Sequence, residues 1–356
     1  MEGAVGEILG LGMTHYPGMT MKGNLAARAK SFMHDPLLPE EFKDPATWPE
    51  PMRREWADDE GWAHSEEHRR ILTENFRWAR KELDAFNPDI VLIWGDDQYE
   101  NFRESIVPPF ALLAYPEFDA QPWHHLPPGR ENSWDEPLDK AFHYAGNQKA
   151  GKYLTNRLLA DGFDVAYCYK PNHGDGLGHA FLNTALYLDW DRKGLPYALL
   201  PFSTNCYGRP LTKLHGGVLN SLADLPNEDE VDPTPPHPFR CFDLGRSIAR
   251  AMAESRWRVA LVASSSWSHN FLTGRYAYFH PDVPTDKKYF EALQNGDYET
   301  WRNTPIEEVE LAGHNELLNW YGLMGAMCEL GRKPDEARFV ESWLCNSDKV
   351  FAVWRG

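Results

Sequence analysis

The stretch IVLIWGDDQYENF sets Asp96, Asp97 and Gln98 directly after an apolar run, so a buried strand ends in two carboxylates and an amide. What they hold must be read from the other polar residues of the chain. His15 follows the first apolar run and precedes Tyr16-Pro17; taken alone it reads as a satisfied loop histidine more readily than a functional one. HSEEH sets His64 and His68 four residues apart on one helical face, like a metal pair. The HExxH zinc motif needs Glu directly after the first His, however, and Ser65 stands there. The pair therefore reads as the solvated, charged start of a helix. NHGDGLGHAFLNTALYLDW carries His173 and His179, the second at a helix start; its glycines make a tight loop without the context of a phosphate loop. His269, in ASSSWSHNFLTG, lies just past a buried strand, where a loop histidine can serve as acid or base. Glu316 opens an apolar helix with the stripe Leu317, Trp320, Leu323, Met324 and Met327; a first-turn glutamate favoured by the helix dipole and a ligand both fit it.

The elements that must position these residues follow from periodicity. Strands are expected at 7–14, 90–94, 110–115, 163–169, 197–202 and 258–265, and helices at 64–86, 147–160, 179–188 and 243–256. The first helix shows the imperfect stripe Ile71, Phe76, Ala79, Leu83 and Phe86, closed by Asn87-Pro88. The alternation predicts an α/β fold: a single domain over 1–356 with a central, mainly parallel or mixed sheet flanked by helices. Ligands of such sheets sit outside the carboxyl ends of the strands. His15, Asp96 to Gln98, Asn205 and Ser264 to His269 fall there. Segments 17–60, rich in Pro and charge, and 222–239, rich in Pro and acid, read as irregular insertions.

Composition narrows the function classes. With 356 residues and 42% apolar content the chain can bury a sizeable core. A net charge of −17 argues against a nucleic-acid partner, whose phosphates need Lys and Arg. No apolar run reaches the roughly 18 residues of a membrane span, and MEGAVGEILGLG has no basic n-region of a signal peptide. Cys168, Cys206, Cys241, Cys328 and Cys345 form no CxxC pair, which argues against a disulfide framework or a thiolate zinc site and for a reduced, cytoplasmic protein. The 14 Trp, 15 Tyr and 18 Phe should mostly fill the core, with some free to line a pocket for a flat substrate.

Taken in order, THYPG, DIVLIWGDDQYENF, GHAFLNTALYLDW with LPYALLPFSTN, SSSWSHNFLTG and the stretch from KYFEALQNGDYETWRNTP to ELAGHNELLNWYGLMGAM carry a family likeness. The chain resembles the class III extradiol ring-cleaving dioxygenases, the family of the catalytic β subunit of protocatechuate 4,5-dioxygenase and of gallate dioxygenase. The resemblance implies that fold, a small aromatic diol or aminophenol as substrate together with O2, and a homo-oligomer, with or without a small accessory subunit. It also implies one Fe(II), or else Mn(II) or another divalent ion, held by two His and one Glu with open positions beside them. His15 matches the first ligand, Glu316 the carboxylate and His269 the acid/base; His179 matches a histidine behind the ligands or against the substrate, with His173 as the fallback.

The chain departs from the family at the second imidazole. The family motif reads Asp-His with a Phe four residues on, whereas here Asp97-Gln98 precede Phe102. Gln98 is thus expected at the metal, binding through its amide oxygen. Alternatively Asp97 or Asp96 turns in, or His124, His125 or His173 substitutes. Oxygen donors would tilt the site towards manganese or magnesium. The rival expectations are a hydrolase or lyase of the same fold without redox chemistry, and a non-enzymatic partner of a true dioxygenase subunit.

Overall fold

The structure, a computed structural model, describes residues 6–174 and 176–356. Part of the N-terminal stretch tested for a leader, and Asp175 of the glycine loop, lie outside the described residues. The strands are β1 (Ile8–Met13), β2 (Ile90–Asp96), β3 (Phe110–Leu113), β4 (Glu117–Ala120), β5 (Phe142–Ala145), β6 (Ala166–Cys168), β7 (Ala198–Thr204), β8 (Val259–Ser264), β9 (Glu336–Val340) and β10 (Lys349–Trp354). Eight of them form one mixed sheet in the order β6-β3-β7-β2-β8-β1-β10-β9, and β4 and β5 pair separately. This is the α/β architecture that the alternation predicts.

The central strands are apolar on both faces because both faces are covered. Along β2, Ile90, Leu92 and Trp94 enter one core cluster, and Val91 and Ile93 the other. The first cluster takes in the helices Pro238–Ala253 and Leu318–Glu329, the second Trp62–Phe86 and His179–Leu188. The first pair of helices packs backbone to backbone. A Cβ at Gly245 would stand 1.9 Å from the Gly322 carbonyl oxygen, and one at Gly325 1.9 Å from that of Phe242. Parallel pairing then aligns the carboxyl ends: Met13 lies beside Ser264, Trp94 beside Ala263 and Asp96 beside Thr204.

Several details differ from expectation. The strands β4, β5, β9 and β10 were not anticipated, and β10 runs antiparallel beside β1. The helix Trp62–Phe86 buries Leu72 rather than Ile71. HSEEH is not a solvated helix start: His68 is buried, and His64 Nε2 lies 3.0 Å from Ser342 Oγ and 3.2 Å from Glu55 Oε2. The loop after β9 covers this end of the helix, and burial, reinforced by Lys349, pushes His64 down to about 4. Segment 17–60 contains the short helices Ala27–Phe32, Glu40–Lys43 and Glu50–Trp56, and Phe32, Trp48 and Met52 are buried in the first cluster. Segment 222–239 holds only two short turns before the helix that starts at Pro238. All five cysteines are unpaired. Among the described residues no helix is long and apolar enough to cross a membrane.

Candidate metal centre

His15 leaves the end of β1 with Nδ1 2.9 Å from the Ser264 carbonyl oxygen. That carbonyl can only accept, so Nδ1 carries a proton and Nε2 is left to face the site. Nε2 faces two acids, Glu316 Oε2 at 3.3 Å and Asp96 Oδ1 at 3.6 Å. Asp96 is the last residue of β2 and fully buried; Asn319 donates to its Oδ1 across 3.5 Å, and Oδ2 has no hydrogen-bond partner. Glu316 sits in the turn before Leu318–Glu329, and its Oε1 accepts from the Tyr207 hydroxyl at 2.8 Å and the Gln98 amide at 3.0 Å. Its Oε2 faces the imidazoles of His15 and His269, the latter at 3.2 Å, without an aligned hydrogen bond.

His179 is the first residue of its helix. Glu100 grips it twice, with Oε1 on the backbone N–H at 2.8 Å and Oε2 on Nδ1 at 3.1 Å. Its Nε2 is buried without a partner, and its ring meets that of His15 edge-on at 5.2 Å. The donor atoms of His15, Asp96 and His179 all lie within 4.8 Å of one another. His269 is buried with Nδ1 fixed 2.8 Å from the Trp267 carbonyl oxygen.

The electrostatics are those of a site short of positive charge. Burial, then Glu316, pushes the Asp96 carboxyl above its ordinary range. Burial also works to raise Glu316, but His269 and His15 outweigh it and hold that carboxyl well below the usual value. Burial disfavours charge on His179, yet Glu100 above all brings it up to about 10. A divalent cation would relieve this imbalance more fully than protons do. The orphaned oxygens of Asp96 and Glu316, with the inward-facing Nε2 atoms, from which an ion would displace any proton, make a donor set that fits one.

Gln98 stands beside Glu316. Its amide nitrogen lies 2.5 Å from the Tyr207 hydroxyl as well as 3.0 Å from Glu316 Oε1. Asp97 does not turn towards the cluster: its carboxylate accepts the backbone N–H groups of Glu100, Asn101 and Phe102 and closes the loop, and burial pushes it up to about 7. Between Gln98 and Glu100, Tyr99 adopts φ 61°, rare for a bulky residue, and stacks on His215 at 4.6 Å. That reversal lets Gln98 and Glu100 both reach the site. None of the three histidines expected as substitutes joins the cluster. His173 bonds Ser105 Oγ at 2.9 Å, and His124 and His125 are exposed along the cleft. That cleft, of about 1340 Å³, is lined by Gln98, Tyr99, Glu100, Tyr115 and His179 among others. A second cavity of about 510 Å³, around Arg77, Arg80 and Asp191, carries none of the candidate residues.

No family model matches the chain. Among known proteins it is similar to 2,3-dihydroxyphenylpropionate/2,3-dihydroxicinnamic acid 1,2-dioxygenase 2 of Pseudomonas putida, with 23% identity over 291 residues, 73% of this chain and 83% of that protein. It is also similar to the 2,3-dihydroxyphenylpropionate/2,3-dihydroxicinnamic acid 1,2-dioxygenases of Burkholderia vietnamiensis (21% identity, covering 78% of this chain and 88% of the relative) and Escherichia coli (21%, covering 77% and 88%). These relatives are dioxygenases by name. A crystal structure of an uncharacterized Escherichia coli K12 protein overlaps 98% of this chain and 99% of its own, but at 14% identity and a TM-score of 0.43 it supports no argument.

The fold brings His15, Glu316, His269, His179 and Gln98 into one neighbourhood. The sequence reading left out Glu100, Tyr207 and Asn319. Only Glu100 carried a local hint, as a carboxylate two residues past Gln98; the others reach the site through tertiary packing alone.

Proposed function

We propose that this protein is a metal-dependent dioxygenase that opens the ring of an aromatic diol or aminophenol with O2. One observation carries the reading: His15 Nε2 and the carboxylates of Asp96 and Glu316 converge at the carboxyl ends of β1 and β2, behind a cleft large enough for an aromatic acid. The dioxygenase names of the relatives point the same way. His15 and Glu316 would hold the ion, Fe(II) first and Mn(II) as the alternative, and the ion would supply a Lewis acid and a route for electrons between substrate and O2.

The chain's own groups do the rest. The Ser264 carbonyl fixes the tautomer of His15, and Tyr207 and Gln98 fix the rotamer of Glu316. His269, with Nδ1 tied to Trp267, presents Nε2 to take a proton from a substrate hydroxyl and to return it later. His179 and Tyr99 border the cleft where the ring would enter. A second reading, a Lewis-acid hydrolase or lyase, draws on Asp96, whose additional oxygen donors suit a hard, redox-inert ion. Purified protein should be assayed for metal, then mixed anaerobically with catechols and aminophenols before O2 is admitted. O2 uptake matched by a ring-opened product supports the first reading. Turnover without O2 uptake favours the second, and protein that binds no divalent metal overturns both.

A further inference from the structure

We infer that the imidazole missing from the β2 motif is supplied by His179, that Asp96 adds a second carboxylate, and that Gln98 acts on Glu316 rather than on the ion. The inference rests on the metal-dependent reading above and assigns its ligands: His15, Asp96, His179 and Glu316.

Three buried polar atoms here have no hydrogen-bond partner: Asp96 Oδ2, His179 Nε2 and Glu316 Oε2. A buried polar atom left so is costly unless something binds it. Those of Asp96 and His179 belong to residues whose donor atoms share a space 4.8 Å across with His15, and the third faces His15 Nε2 at 3.3 Å. Two ligands of one ion, each about 2.0–2.2 Å from it, stand at most about 4.4 Å apart, so small inward movements of these side chains would seat an ion between them.

The two histidines are also held alike. Each has Nδ1 on an acceptor, Ser264 carbonyl for His15 and Glu100 carboxylate for His179, and each turns Nε2 inward. This is how metal-binding imidazoles are oriented and made more basic. A helix start is a poor place for a cation, because the first N–H groups carry partial positive charge. Glu100 answers that: it accepts the first N–H of the helix as well as the ring nitrogen.

Gln98 is engaged elsewhere. Its amide nitrogen lies on Tyr207 and on Glu316 Oε1, which steadies the outer oxygen of the carboxylate and leaves Oε2 for the ion. The reason lies in β2. The strand stays paired through Asp96 opposite Thr204, and Asp97 then closes the loop, so the inward position falls to Asp96 and Gln98 arrives beyond it. Two imidazoles and two carboxylates neutralise a divalent ion, where the arrangement with one carboxylate leaves a net positive charge. The site should therefore favour Mn(II) over Fe(II) more than a two-His, one-carboxylate site does.

Mn(II) titration followed by pulsed EPR tests this, since ¹⁴N couplings count coordinated imidazoles without any turnover. Wild type should show two. His179→Gly should show one, with binding weaker by about 10²-fold, and free imidazole entering through the cleft should restore the second. Asp96→Asn should weaken binding by about 10-fold or more and keep both couplings. Gln98→Ala should also keep both. Wild type with one imidazole, or His179→Gly with two, overturns the assignment while leaving the metal-dependent reading intact. Failure of wild type to bind Mn(II) or Fe(II) overturns that reading instead. Circular dichroism of each variant separates ligand loss from misfolding.

Discussion

His314 Nε2 and Asp286 Oδ1 stand 2.6 Å apart, and neither side chain has any solvent exposure. Burial pushes Asp286 up to about 7 and His314 down to about 4, so the pair resists ionisation on both sides. Asp286 also accepts the backbone N–H and the hydroxyl of Ser268, the neighbour of His269. His314 lies two residues before Glu316, and the His269 N–H donates to the Gly313 carbonyl at 2.9 Å. One carboxyl group thus ties the loop of the proposed proton carrier to the turn of a proposed ligand. Asp286→Ala would leave His314 and Ser268 without their acceptor, and should destabilise the protein by about 3 kcal/mol. Urea denaturation reads this directly; a variant as stable as wild type would refute the clamp.

His15 and Glu316 come from opposite ends of the chain to one spot, with His15 Nε2 3.3 Å from Glu316 Oε2. His15→Ala and Glu316→Ala should each emerge from gel filtration without metal. Full occupancy in both variants would remove them from the centre.

His269 presents Nε2 to Glu316 Oε2 at 3.2 Å, with Nδ1 tied to the Trp267 carbonyl, a posture that suits a proton carrier beside the proposed centre. His269→Phe should keep the metal and lose turnover by roughly 10²–10⁴-fold, the usual worth of a positioned acid/base. Loss of metal in this variant would make His269 a ligand.

Glu55 gives a pH dependence of stability away from the site. It accepts the N–H groups of Trp343 and Leu344, yet burial, with Asp348 adding, pushes it up to about 7. In the unfolded chain a glutamate titrates near about 4.3. Between those values the folded chain keeps a proton that the unfolded chain has lost. The contribution of Glu55 is therefore fully present below about 4.3 and is lost as pH rises through about 7. Glu55→Gln should lose less stability than wild type from about pH 5 to pH 8, by on the order of 2 kcal/mol. Parallel losses in the two proteins, measured by denaturant unfolding, would contradict this.

The six strands expected from apolar runs are all present, because runs such as Ile90–Trp94 are buried on both faces and leave no competing pattern. Lys349–Trp354 carries a similar signal, five apolar residues after a lysine, and went unread beside the strong elements before it. The strands β4 and β9 lack such runs; β4 alternates exposed and buried positions over four residues. That His15, Glu316 and His269 lie together was readable through the family resemblance, not through local pattern. Which of Asp96, Asp97 and Gln98 faces inward was not legible at all. It depends on whether β2 ends one residue earlier or later, and the pairing of Asp96 with Thr204 decides that only in the folded sheet. The reading of HSEEH failed for a related reason, since Ser342, which lies against His64, is far along the chain.

The neighbours of β1 are Val259–Ser264 on one side and Gly10 to Gly12 pair with Ala352–Trp354 on the other. The strand bearing His15 is therefore made long before either strand on which it docks. Asp96 finds its partner Thr204 on β7 sooner, although β2 too is flanked by β8. Closing loops this long is entropically costly and slow. Assembly of the proposed centre thus waits on late-made strands, and a nascent polypeptide that lacks them would offer an ion only part of the proposed donor set.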